Sequence, residues 1–240
     1  MKKTLLLSLT IGFLFHVQTA KTQPSPSAWL TANAGINSIW LLNQNSYGNP
    51  EMEYGTKFGL SGDIGLNYYL NNKYGFSTGI GLGNFGQSYV GEQAGEKATR
   101  KVNLNYIKVP VMGMKQLSDP QHPCWLSFGP EILILTSASQ KYTRVGGSEG
   151  LPNPGYFVPG KHDVTKWYKP MDIMLKAEVT NIYYMGTDDS KRFMLSVMGA
   201  FGLMDVNSND PKYHVVRTGQ TYKGSHNFYL GVKAGIMFNP

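Results

Sequence analysis

Residues 227–238 read Asn-Phe-Tyr-Leu-Gly-Val-Lys-Ala-Gly-Ile-Met-Phe. Every second residue, from Phe228 to Phe238, is apolar, and most of the residues between them are polar or glycine. Because successive side chains of a β-strand point to opposite faces of the sheet, this segment predicts a strand with one apolar and one polar face. A soluble β-sandwich contains such strands too, so the fold depends on how often the pattern recurs.

The same alternation recurs along the whole chain. Soluble sheets usually have strands of roughly five or six residues, whereas these segments are long enough for the 9–11 tilted residues that cross a hydrocarbon core. We therefore predict an all-β fold, an eight-stranded antiparallel up-and-down transmembrane β-barrel. The predicted strands lie at about 29–40, 57–70, 74–87, 102–114, 124–136, 170–184, 192–204 and 227–238.

The connections between the predicted strands alternate in length. If the first strand starts in the periplasm, the outer loops are 41–56, 88–101, 137–169 and 205–226, and the periplasmic turns are 71–73, 115–123 and 185–191. Long outer loops and short periplasmic turns are typical of bacterial outer-membrane barrels. Asn71-Asn72-Lys73 fits a tight hairpin, because Asn tolerates the positive φ of such turns. The predicted location is the bacterial outer membrane.

Residues 1–20 are typical of a secretory signal peptide. Lys2 and Lys3 precede an apolar run that is shorter than the roughly 20 residues needed for a membrane-spanning helix. Cleavage near 20–22 would leave a short leader at 21–28 and a single barrel domain at 29–240. An uncleaved N-terminal anchor is the alternative. Cys124 is the only cysteine, so no disulfide can form within the chain.

The charged and aromatic residues indicate that the barrel is surrounded by lipid. The formal net charge is +7, but the basic residues are scattered, which favours an anionic lipid surface over nucleic acid as the partner. Tyr and Trp residues lie near the ends of the predicted strands, as in the aromatic girdles of membrane interfaces. They are Trp29, Trp40, Tyr54, Tyr68, Tyr69, Tyr74, Trp125, Trp167, Tyr168, Tyr183 and Tyr184.

The charged residues within strands all fall on the predicted inward face. A lysine facing mid-bilayer lipid would cost about 2–4 kcal/mol. Because side chains fill the interior of an eight-stranded barrel, we predict a closed lumen held by ion pairs. A narrow proton or ion path and a buried functional site are the alternatives. The predicted lumen network has four basic and four acidic residues: Asp63, Lys108, Glu131, Asp172, Lys176, Glu178, Arg192 and Lys233.

Proline and glycine add local predictions. Pro110 and Pro130 lie inside predicted strands, where each is expected to mark a bulge or a strand end, because proline has no N–H to donate. The inward glycines of the third predicted strand are expected to leave room for long side chains from facing strands. These glycines are Gly75, Gly79, Gly81 and Gly83.

Three segments carry a family resemblance. Residues 106–111 read Tyr-Ile-Lys-Val-Pro-Val, residues 127–130 read Ser-Phe-Gly-Pro, and residues 202–206 read Gly-Leu-Met-Asp-Val. Together they resemble motifs of the small outer-membrane β-barrel proteins of Bacteroidota, often called PorT-like, although Lys108 stands where the family usually has an acidic residue. The resemblance implies an outer-membrane barrel. For some members of the family it also implies a role in the type IX protein-secretion and gliding apparatus.

The candidate functional residues lie in the predicted outer loops. No spacing matches a metal-ligand motif, a nucleophile elbow or a phosphate loop, so we predict no catalytic, cofactor or metal residues. His162, His214 and His226 lie on the third and fourth outer loops and are the candidates for a hydrolytic or metal site. A long third outer loop is typical of a functional or disordered segment. Its predicted contact surface comprises Tyr156, Phe157, Lys161, His162, Lys166, Trp167 and Tyr168.

The sequence therefore predicts a non-enzymatic outer-membrane barrel with a structural or interaction role. Its predicted partners are outer-membrane lipid and lipopolysaccharide, with secretion-apparatus proteins added by the resemblance alone. One alternative is an outer-membrane enzyme acting on lipid or lipopolysaccharide, and another is a barrel that binds a ligand with its outer loops. A soluble lipocalin-like barrel would need an apolar interior, which is the reverse of the charge pattern.

Overall fold

The computed structural model describes residues 26–43, 52–93, 96–118, 123–144, 160–185, 190–210 and 222–239. The predicted signal peptide and the cleavage site lie outside the described residues. Tyr156, Phe157 and His214 of the predicted outer-loop sites also lie outside them. No helix in the described part of the chain is long and apolar enough to cross a bilayer.

The described chain forms ten strands and one short 3₁₀ helix. The strands are β1 (Ser27–Leu42), β2 (Met52–Gly55), β3 (Phe58–Tyr69), β4 (Tyr74–Gln93), β5 (Glu96–Gln116), β6 (Cys124–Arg144), β7 (Gly160–Asp163), β8 (Met171–Tyr184), β9 (Lys191–Gly202) and β10 (His226–Phe238), and the 3₁₀ helix is Thr165–Trp167. Eight of them form a closed antiparallel ring in the order β1, β3, β4, β5, β6, β8, β9, β10, with β10 pairing back to β1. The ring confirms the predicted eight-stranded barrel. The short strands β2 and β7 pair with β4 and β6.

We call the end with the connections 70–73, 117–123 and 185–190 the turn end, and the opposite end the loop end. At three of the four loop-end positions, the connection between ring strands is longer than those at the turn end, as predicted; the connection between β4 and β5 is the exception. In the first turn, the side-chain oxygen of Asn71 accepts the backbone N–H groups of Lys73 and Tyr74 at 2.8 and 2.9 Å. This is the local hydrogen bonding for which Asn is favoured in turns.

The predicted outer loop at 88–101 is wrong. Strands β4 and β5 remain paired as far as Gln93 and Glu96, so they extend as one long hairpin at the loop end. The hairpin stays ordered because its inward side chains, among them Tyr89 and Ala98, are fully buried.

The predicted faces agree with the exposure of the side chains. Leu60, Leu82 and Val197 are 72%, 66% and 63% exposed on the outer surface of the barrel, whereas Lys108 and Glu131 are 3% and 0% exposed inside it. Apolar residues outside and charged residues inside are the arrangement expected of a barrel that is surrounded by lipid.

The two strand prolines mark neither a bulge nor a strand end, which corrects that prediction. The pairing of β4 with β5 is interrupted beside Pro110, and that of β5 with β6 beside Pro130, but each resumes in the same register. Beside Pro110, the hydroxyl of Thr78 donates to the proline carbonyl at 2.9 Å, which satisfies this acceptor where the ladder is interrupted. The register shift in β5 and β6 lies elsewhere, between Asn105 and Tyr106.

Candidate functional site: the filled lumen and its two ends

A layer of aromatic, methionine and isoleucine side chains closes the lumen at the turn end. Its members are buried together: Trp29, Tyr69, Met114, Trp125, Ile182, Met194 and Met237. The rings of Tyr69 and Trp125 lie 4.7 Å apart at an interplanar angle of 56°. Three of these residues were predicted to lie at the membrane interface. That prediction is wrong for Trp29, Tyr69 and Trp125, because their strand positions point into the barrel.

A chain of ion pairs fills the middle of the lumen. The Glu131 carboxylate lies 3.4 Å from Nζ of Lys176 and 3.8 Å from Nζ of Lys108. Glu178 continues the chain, at 3.3 Å from Nζ of Lys176 and 2.9 Å from Nζ of Lys233. The five side chains project from β5, β6, β8 and β10. Charges in this alternating order offset one another's desolvation in a site from which water is largely excluded.

Hydroxyl groups complete the coordination of the two glutamates. The Tyr229 hydroxyl donates to Glu131 Oε2 at 3.1 Å, and the Thr180 hydroxyl donates to Glu178 Oε1 at 3.1 Å. A small cavity of about 40 Å³ adjoins this charged layer and is also lined by Asn33 and Asp63. Such a space holds on the order of three water molecules. The lumen is therefore packed, with room for bound water but not for an open channel.

The three other predicted lumen charges do not join the chain. Asp63 accepts a hydrogen bond from the Asn33 amide at 2.7 Å, and Asp172 accepts one from the Asn227 amide at 2.9 Å. The Arg192 guanidinium lies at the turn end, over the rings of Trp29 and Tyr184. The sequence predicted that these side chains face inward, but it did not predict their partners.

Glycine leaves space beside one of the lysines. A Cβ atom at Gly83 would lie 2.9 Å from Cδ of Lys108. Gly83 thus makes room for a long side chain, as predicted, but Lys108 comes from β5, which is paired with β4, and not from a facing strand.

A larger aromatic layer closes the loop end. Phe85 contacts Tyr106 and Tyr229 edge-on, with ring centroids 5.3 and 5.6 Å apart. Two outer loops cover this layer and are joined by backbone hydrogen bonds, from Lys169 N to Val206 O at 2.7 Å and from Ser208 N to Trp167 O at 2.8 Å.

The predicted outer-loop contact surface is only partly exposed. Tyr168 is 4% exposed and belongs to the buried layer, so it is not a surface contact residue. Trp167 is partly buried and packs against that layer. Lys161, His162 and Lys166 are exposed. The difference arises because the chain folds back over the lumen at this point, so that these two aromatic side chains pack against the buried layer.

Two polar side chains to which the sequence analysis assigns no role organise the loop end. Lys57 Nζ donates to the carbonyls of Phe85 and Val102 at 2.9 and 2.5 Å. Burial, together with the nearby charge of Lys101, lowers the pKa of Lys57 to about 7. Asp205 accepts hydrogen bonds from the Tyr222 hydroxyl and from the backbone N–H of Ser225 and Asn207. Lys57 lies in no motif, and Asp205 lies in the segment 202–206 that carries the family resemblance, which gives it no role. Both roles depend on loops that meet only in the folded chain.

The histidines show no shared site in the described residues. Nδ1 of His226 lies 3.1 Å from the carbonyl of Gly202, and its ring stacks on Phe201 at 5.7 Å. His162 lies on β7, opposite Gln140 of β6. Within the described ranges, no three His, Cys, Asp or Glu side chains lie close enough together to hold a metal ion.

The comparison with protein families agrees with this architecture. The family model described as "Outer membrane protein beta-barrel domain" matches residues 7–208. No curated protein matches the sequence at a significant level. Among solved structures, the chain is similar to Neisserial surface protein A, with 15% identity over 90% of this chain and 100% of that one and a TM-score of 0.43.

Two further solved structures have comparable scores. The outer membrane protein OprG from Pseudomonas aeruginosa has 9% identity over 91% of this chain and 98% of its own, with a TM-score of 0.38. The outer membrane protease OmpT from Escherichia coli has 10% identity over 93% and 99%, with a TM-score of 0.38. These likenesses are too weak to transfer a function to this chain.

Proposed function

Because the chain belongs to the outer membrane protein beta-barrel domain family, it is a bacterial outer-membrane β-barrel, and we propose that it is a non-enzymatic barrel with a structural or interaction role. The turn end faces the periplasm and the loop end faces outward, as in other bacterial outer-membrane barrels. The lumen acts as a solid core, and contacts with other molecules are made by the exposed ends.

The observation that carries this proposal is the packed lumen. Four buried charges and the partly buried Lys233 pair with one another between two closed apolar layers, which leaves only a small cavity. Planar-bilayer recordings of the purified barrel test it directly. We expect no conductance steps of porin size at any voltage, and reproducible steps of that size would refute the closed lumen.

The exposed cations of the third outer loop support a contact with lipopolysaccharide. Lys161 and Lys166 are exposed at the loop end, where lipopolysaccharide phosphates would lie. The test uses nanodiscs that contain lipopolysaccharide and native mass spectrometry of the lipid retained. We expect the double variant Lys161→Gln/Lys166→Gln to retain less lipopolysaccharide, and the matched turn-end variant Lys73→Gln/Lys115→Gln to retain as much as the unchanged barrel. Equal retention in all three would refute the contact.

We further propose a more specific role, as an accessory in protein secretion. It is supported only by the three PorT-like segments at 106–111, 127–130 and 202–206. Cross-linking in native membranes followed by detergent purification is the matching test. Recovery of secretion-apparatus proteins with the barrel would support that role. Recovery of the barrel alone, under conditions that preserve a known secretion complex, would contradict it.

A further inference from the structure

An unusual arginine lies at the periplasmic end of the lumen. Arg192 is inward-facing in β9, and its Cζ lies 4.2 Å from the ring centroid of Trp29 and 4.8 Å from that of Tyr184. Its Nε is buried and has no hydrogen-bond partner, and none of the ion pairs found in the described part of the chain includes this residue. Aromatic faces stabilise a cation without neutralising it, so the guanidinium keeps its donors available.

A second unsatisfied donor lies beside it. Tyr69 is 8% exposed, and its hydroxyl has no hydrogen-bond partner in the described residues. Arg192 and Tyr69 line the same cleft, which has a volume of about 360 Å³ and opens at the turn end. A buried donor without a partner destabilises the fold, and an acceptor that reaches these groups from the cleft would remove that cost for both.

The lining of the cleft indicates the chemistry of the ligand. Among the described residues that line the cleft, Arg192 is the only charged one, and Asn71, Asn72, Gln116 and Asn239 add neutral amides. One guanidinium fork matches one planar, singly charged carboxylate, whereas a phosphate dianion would require a second cation. The indole of Trp125 and the side chain of Ile182 form an apolar wall beside the polar groups. About 360 Å³ lies within the usual range for small-ligand sites.

We propose that this periplasmic cleft binds a carboxylate, and that its ligand is the free C-terminus of a short peptide. The Arg192 guanidinium and the Tyr69 hydroxyl donate to the two carboxylate oxygens, and the amide side chains contact the peptide backbone. This site lies at the opposite end of the barrel from the outer-loop contact proposed above and does not depend on it.

The test is fluorescence polarisation with the full chain in detergent micelles. The probe is a fluorescein-labelled Ala-Ala-Ala peptide with a free C-terminus, compared with the same peptide amidated at the C-terminus and with sodium acetate as competitor. We expect the free acid to bind at least about tenfold more tightly than the amide, since a charge-assisted hydrogen bond is lost. If acetate displaces the labelled peptide at the same concentration as unlabelled Ala-Ala-Ala does, the ligand is a small carboxylate and the peptide assignment is overturned. Equal binding of acid and amide, or no binding of either, would overturn the site.

Variants separate binding from folding. Arg192→Gln should weaken binding of the acid at least about tenfold, and Arg192→Lys should not restore it fully because the planar fork is lost. Tyr69→Phe removes only the unpaired hydroxyl, so it should fold normally and weaken binding about fivefold. Lys73→Gln, a charge change at the same end but outside the cleft, should leave affinity unchanged. Full affinity in Tyr69→Phe, or an equal loss in Lys73→Gln, would refute the assignment.

Discussion

Replacing Glu131 by glutamine should destabilise the barrel strongly. Glu131 is fully buried and is the carboxylate that lies within 4 Å of Lys108 in the described structure. Lys176 would keep Glu178, but Lys108 would become a buried cation without a counter-ion. Breaking a buried pair on one side costs about 3–5 kcal/mol. Because the glutamine oxygen can still accept the Tyr229 hydroxyl, we expect the lower value, about 3 kcal/mol.

Urea unfolding in phospholipid bilayers, followed by tryptophan fluorescence, measures this loss. With a urea m-value of about 2–3 kcal/mol per molar, the midpoint should fall by about 1–1.5 M. Glu92→Gln is a matched control, because Glu92 is an exposed carboxylate on the outer hairpin. Its effect should stay below about 1 kcal/mol, as for surface pairs in general.

A rescue variant tests the cause of the loss. In Glu131→Gln/Lys108→Met the unpaired cation is removed, while Lys176, Glu178 and Lys233 keep their contacts. The double variant should therefore be more stable than Glu131→Gln alone. A loss below about 1 kcal/mol for the single variant, or no recovery in the double variant, would refute the view that unpaired charge sets the cost.

Three further predictions concern the loop end. Gly86 has φ 119°, and a Cβ atom there would overlap a backbone carbonyl. Gly86→Ala should therefore lower the free energy of unfolding in urea by about 1–3 kcal/mol. The control Gly113→Ala, at an open position, should lower it by less than about 1 kcal/mol. The pKa of Lys57 falls from 10.5 to about 7 on folding, so the unfolded chain binds more protons than the folded chain between these pH values. The free energy of unfolding should therefore rise with pH across this window, by at most about 1.4 kcal/mol per pH unit. Lys57→Met should flatten this rise. Asp205→Ala removes the acceptor for several loop donors, so proteolysis within 203–225 should accelerate while the heat-modifiable migration of the barrel is unchanged.

The barrel and its two faces were predictable because lipid imposes a strict alternation. Prediction and structure differ where that constraint ends or where residue type is set above it. Trp29, Tyr69 and Trp125 share the strand parity of Thr31, Asp63 and Glu131, so parity alone predicts that they face inward, whereas residue type alone predicts the membrane interface. The aromatic girdle is a tendency of residue types, whereas alternation is a consequence of backbone geometry. The geometric rule should therefore have decided these positions.

The hairpin at 88–101 was missed for a different reason. Outside the membrane the outer face of a strand contacts water, so charged residues such as Glu92 and Lys97 appear on it and the lipid-face pattern disappears. Which lysine pairs with which glutamate was also beyond the sequence. Those contacts join β5, β6, β8 and β10, and they depend on the register of several strand pairs at once. An extra residue in β6 beside the register shift adds a displacement that no alternation predicts.

The charged layer also limits the registers that the barrel can adopt. A slip of one residue would exchange the two faces of a strand, so a slipped β8 would turn Lys176 and Glu178 toward lipid. Each lysine exposed in this way would cost about 2–4 kcal/mol, and its partners inside would lose their counter-ions. An apolar layer of equal volume would carry no such penalty against slipping, even if it gave the native barrel equal stability. Removing one partner can therefore be costly even if the whole charged layer adds little to the net stability of the barrel. We infer that the main contribution of these ion pairs is the selection of one register.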